Sequence, residues 1–134
     1  MTTSDDTGKL VLRLTLGILI LLHGISKLSN GIGSIVGMVT SNGLPAAFAY
    51  GVYIGEVVAP ALVIIGVLTR PAALVIAFNM LVALWLAHAG QIGTLGKSGG
   101  WALELQGMFL FGAIATAFLG AGRFSIGGTM GRYN

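Results

Sequence analysis

No cysteine occurs in this chain of 134 residues. Disulfide bonds, thiol redox chemistry, thiolate metal sites and covalent haem attachment are therefore excluded. Charge is scarce as well. Only 8% of residues are Asp, Glu, Lys or Arg, whereas a solvated globular domain carries about 25%. The formal net charge is +3, and the cations are scattered with no basic block, which argues against a nucleic-acid partner. Just three prolines interrupt the chain. What is abundant is apolar: 55% of the residues, the composition of a protein that lives in lipid.

The organising stretch is Leu10 to Leu28, LVLRLTLGILILLHGISKL. It has the length of about 20 residues that a helix needs to cross the hydrocarbon core. Arg13, His23 and Lys27 lie inside it. Basic and titratable groups in such a run are costly, so they face protein or a water-filled cavity. His23 and Lys27 are four apart and share one helix face. The preceding MTTSDDTGK is polar and acidic, with no small-x-small cleavage site after the apolar run. The run is read as a retained span and not a signal peptide.

Three further runs follow, and the spans are expected at roughly 9–28, 46–68, 72–89 and 101–119. Between the first two, Ile32, Ile35, Val36 and Val39 recur at helical spacing, which predicts a short interfacial helix. Thr69-Arg70-Pro71 is too short a turn for anything but antiparallel neighbours. Residues 90–100 have the Gly-rich composition of a loop. The expected architecture is all-α: a transmembrane four-helix bundle, one domain over 1–134. Lys9, Arg13, Arg70, Arg123 and Arg132 fall on one side and Lys27 and Lys97 on the other. The positive-inside rule then places both termini in the cytoplasm, in a multi-pass membrane protein.

That topology draws His23, Lys27, His88 and Glu104 to the outer third of the bundle, with Glu56 about 16 Å along its own span by the helical rise. These five are the candidate ligand-pocket or proton-relay residues. Pro60 removes the donor that would pair with the carbonyl of Glu56, so a helix kink is expected at the pocket. Each has a plainer reading. Glu56 can be the buried partner of Lys27, His23 can bridge helices, Lys27 can snorkel to the interface, and Glu104 can simply suit a helix dipole. His88 can be an interfacial residue beside Trp85. Asn79 is expected to bridge helices outside the pocket, and Arg13 and Arg70 to anchor the cytoplasmic face. His23, Glu56, His88 and Glu104 also match the ligand types of a non-haem metal site, but Glu-x-x-His spacing is absent and Lys27 would repel a cation. A b-type haem on the two histidines is weaker still.

Several pieces occur in order: Arg13-x3-Gly17, His23-Gly24-x2-Lys27-Leu28, Glu56, Gly66-x2-Thr69-Arg70-Pro71-Ala72, Glu104, and Gly120-x-Gly122-Arg123-x-Ser125. With this set the chain resembles the DoxX family of small four-helix bacterial membrane proteins. The resemblance implies membership of a membrane-associated oxidoreductase assembly, one family relative being a subunit of a thiosulfate:quinone oxidoreductase. The function it implies is a membrane subunit with a quinone as bound carrier and a redox protein as partner, in the lipid bilayer. A homo-oligomer is compatible with it. The alternatives are a non-catalytic scaffold or assembly factor, and a small-molecule or proton transporter. A stand-alone enzyme is disfavoured, because no cofactor-binding motif is present and no catalytic residue can be assigned.

Overall fold

Proline at position 60 sets the most unusual local geometry in the chain. In the computed structural model, which describes residues 2–87, 89–129 and 131–134, the helix around it changes type. The element Ala46–Ile65, here α3, opens with a 3₁₀ turn at Ala46–Tyr50 and passes through a π turn at Ile54–Val58. It then continues as α-helix over Ala59–Ile65. A proline ring clashes with the carbonyl four residues earlier, here that of Glu56. Widening the turn to the i→i+5 pattern moves that carbonyl out of the way. The Ala59 N–H donates to the carbonyl of Ile54. The expected kink is therefore a π turn.

The other helices are α1 (Thr3–Asn30), α2 (Gly33–Ser41), α4 (Thr69–Ala87) and α5 (Glu104–Leu119). The described residues form no strand, only an isolated antiparallel bridge between Leu95 and Trp101. Helices α1, α3 and α4 are long and apolar enough to cross a membrane, whereas α5 has 16 residues and is shorter than the expected fourth span. Helix α1 begins earlier than expected because Thr2 and Asp5 form a reciprocal capping box, which satisfies two of the donors a helix start leaves open.

Helices α1, α3, α4 and α5 share one core of Leu16, Ile20, Ala59, Val63, Ile76, Met80, Phe109, Leu110 and Ala113. Dispersion and close packing hold helices together in lipid, so small residues at the contacts matter. Gly17 and Gly24 bring α1 directly onto α3: a β-carbon at Gly17 would press on Ile64 and the carbonyl of Pro60, and one at Gly24 would collide with the carbonyl of Glu56. The predicted helix after span one is present as α2. Ile32 and Val39 are buried with Ala49, against Val52, Tyr53 and Leu86 of α3 and α4.

Candidate functional site

Helix α1 presents a continuous buried stripe, Asp6, Lys9, Arg13, Leu16, Gly17, Ile20 and Gly24, at helical spacing. Polar groups cluster at both ends of this stripe. At the end where α3 begins, the Lys27 ammonium pairs with the Glu56 carboxylate. The Glu56 side chain is 5% exposed and that of Lys27 30%. Burying a lone carboxylate is far more costly than burying a paired one, so the pair holds together. The Tyr53 hydroxyl donates to the carbonyl of Lys27 at 3.3 Å. Asn79 of α4 lies against Gly55, filling the space a side chain there would need. It links α4 to α3 beside the π turn.

The remaining expected pocket residues do not share this contact. His23 is exposed, and its ring meets Phe109 of α5 edge-to-face, with centroids 5.8 Å apart. Glu104 is exposed in the first turn of α5 and folds over Gly100. His88 lies outside the described residues. Among the described residues, no three His, Cys, Asp or Glu side chains converge as metal ligands. The carbonyl of Glu56 faces the α1 backbone at Gly24 and not an open acceptor-rich space. The groove found beside the π turn lies between α3 and α4, and its walls, including Ile54, Val58, Leu62, Pro71 and Val75, are apolar.

The opposite end holds what sequence reasoning misread. Its position in the sequence makes Arg13 a cytoplasmic-face anchor, but the side chain is 2% exposed. Its guanidinium donates to the carbonyls of Val63 at 2.7 Å, Ala121 at 2.6 Å, Ile64 at 3.1 Å and Phe124 at 3.2 Å. Arginine suits this because its charge is delocalised and its donors are arranged as a rigid fork. Val63 and Ile64 end α3, where helix carbonyls lack partners. Arg70 treats α5 likewise, donating to Ala117 at 3.1 Å and Phe118 at 2.6 Å. The 3.6-residue spacing from Arg13 through Gly17 to Gly24 was the available signal.

The segment after α5 folds over this end. Arg123 donates its backbone N–H to Asp6 at 3.1 Å and pairs with the same carboxylate at 3.6 Å. The N–H groups of Ile126 and Gly127 donate to Ile65 and Gly66. Gly66, at φ 75°, takes the left-handed conformation that ends α3, and Ser125 fills the position of its missing side chain. Both chain ends thus meet at one end of the helices.

No curated protein and no solved structure matches the chain. The DoxX family model matches residues 8–89, more than half of the chain, reaching from α1 through α4. That region contains Arg13, Gly17, Gly24, Lys27, Glu56 and the Gly66-to-Ala72 turn, whereas the Glu104 and Gly120-to-Ser125 pieces lie beyond it. With its long apolar helices, the chain is a multi-pass membrane protein, and it belongs to the DoxX family.

Proposed function

We propose that the chain is a non-catalytic integral subunit of a membrane redox assembly. It forms one domain over residues 1–134, a four-helix transmembrane bundle with both termini cytoplasmic in the bacterial inner membrane. Its work is to hold partner proteins at the membrane. The observation that carries this reading is the closed Lys27–Glu56 contact: the intramembrane carboxylate is spent on an ion pair between α1 and α3. Arg13 is likewise spent on backbone carbonyls. Charges used as ties between helices suit a scaffold better than a transporter, whose path needs open polar walls. The redox setting comes from the family resemblance.

A second reading is favoured by one specific feature. π turns recur at functional sites, and this one carries Glu56. Lys27 keeps part of its side chain open, on the helix face that also bears His23. A quinone-like carrier could meet Lys27 and His23 there from the lipid, with Glu56 as proton acceptor.

Glu56→Gln, Lys27→Met and the pair Lys27→Met/Glu56→Leu separate the two. For a scaffold, each single change lowers the amount of protein in the membrane, and the double change restores it together with its co-purifying partner proteins. Removing one member strands a buried group, while removing both does not. Full accumulation of Glu56→Gln, with loss of extractable quinone and of electron transfer, would instead establish the carrier site.

A further inference from the structure

Helix α1 packs one face against α3 and α5 and turns the opposite face outward. Thr15, Leu19, Leu22, Ser26 and Ser29 are exposed on that outward face. His23 and Asn30, exposed as well, flank it on one side, where 3.6 residues per turn put them. Most of these side chains are polar, and the Asn30 amide donates to the Ser26 hydroxyl at 3.2 Å along the face. The other spans differ. On α4 the exposed residues are Leu74, Val75, Phe78, Leu81, Trp85 and Ala87, and on α5 beyond Glu104 they are apolar too.

The polar face lies within the span. His23 meets Phe109, which stands about 15 Å from the end of α5 by the helical rise, and Ser26 follows within the next turn of α1. Hydrocarbon offers these groups no hydrogen bond, so exposing them to lipid is costly. Polar side chains of adjacent spans instead bond across helices. The face therefore calls for another helix. Thr15, Leu19, Leu22, Ser26 and Ser29 are spaced four, three, four and three apart, the 3.5-residue repeat of two helices packed side by side.

Copies inserted in the same sense run α1 parallel to α1, so a two-fold axis along the membrane normal sets each residue against its own counterpart. Identical charges facing each other would repel. This face carries none: Arg13 is buried on backbone carbonyls and Lys27 turns to Glu56. Hydroxyl and amide groups both donate and accept, so Ser26 and Asn30 can each bond their own kind. We infer that α1 pairs in parallel with α1 of a second copy. Leu19 and Leu22 pack at the centre of the contact, with Thr15 bonded on one side of them and Ser26 and Asn30 on the other. This pairing goes beyond the proposed role and does not rest on its redox setting.

The cysteine-free sequence lets single thiols test this in native membranes. Mild oxidation is expected to join two copies through Leu22→Cys or Ser26→Cys roughly tenfold faster than through Ile25→Cys on the flank of α1 or Phe78→Cys on α4, because a disulfide needs β-carbons about 4 Å apart. Independently, energy transfer between donor- and acceptor-labelled full chains is followed as phosphatidylcholine vesicles are enriched in lipid. Ser26→Leu/Asn30→Leu touches no core residue and should weaken the association roughly tenfold by removing the interhelical bonds. Equal cross-linking at all four positions overturns the inference. So does energy transfer no greater than random mixing gives, or unchanged by the double substitution. Recovery from membranes of complexes that hold one copy and a different membrane protein overturns it as well.

Discussion

Gly24 of α1 and Glu56 of α3 meet backbone to backbone, with no room for a β-carbon between Gly24 and the Glu56 carbonyl. The π turn that relieves Pro60 places this carbonyl at the α1 surface. A side chain can rotate away from an intruding methyl group, but a carbonyl fixed in a helix cannot. Gly24→Ala is therefore expected to destabilise the fold by about 1–3 kcal/mol through overpacking, although alanine is the better helix former. Thermal unfolding in detergent reads the change, and an unaltered midpoint would show that α1 and α3 are not in contact here.

Arg13→Met should be more damaging, by about 3–5 kcal/mol, since it leaves buried acceptors without donors. Arg13→Lys is expected to recover only part of the loss. One ammonium cannot reproduce the planar fork that serves Val63, Ile64, Ala121 and Phe124 together. The amount of folded protein recovered from membranes ranks the three forms. Equal recovery of all three would remove Arg13 from the structural account.

The Asn134 side chain accepts from the Thr69 N–H at 3.1 Å and hydroxyl at 2.9 Å, and donates to Gly128 at 2.6 Å. Thr69 is fully buried. Asn134→Ala strands those donors at a cost of about 1–3 kcal/mol and should loosen residues 120–134 first. Limited proteolysis of the purified protein is expected to cut that segment sooner in the variant, with the helices still intact.

At the start of α1, the Thr2 backbone N–H and then its hydroxyl hold the Asp5 carboxyl below its ordinary value of 3.8. A lowered value in the folded state means the cap contributes above the ordinary carboxylate range and is lost as the pH falls through the lowered one. The protection of first-turn amides of α1, taken relative to their intrinsic exchange rates at each pH, should therefore fall on acidification below about pH 4. Thr2→Ala should move the Asp5 titration midpoint upward, followed by its carboxyl resonance. No upward movement in that variant would rule out the Thr2 hydroxyl as a cause and leave the backbone N–H alone.

Much of the architecture was legible in the order of residues. Apolar runs placed α1, α3 and α4 because lipid demands about 20 apolar residues per crossing. The spacing of Ile32, Ile35, Val36 and Val39 placed α2, and Pro60 announced a disturbed helix at Glu56. Pairing of Glu56 with Lys27 was one of two readings that the spans left open. What only the tertiary structure decided was the direction in which each side chain faces. The π turn inserts an extra residue into α3, so every position beyond it rotates relative to a regular helix, and no periodicity argument carries across it. The close approach at Gly17 and Gly24 seats Glu56, within that turn, against Lys27, while His23 of α1 meets Phe109 and Glu104 of α5 stays at the surface. Arg13 depends on carbonyls from segments 50 to 111 positions away. A backbone acceptor has no residue type to read, so its partner becomes known only when the chain has folded around it.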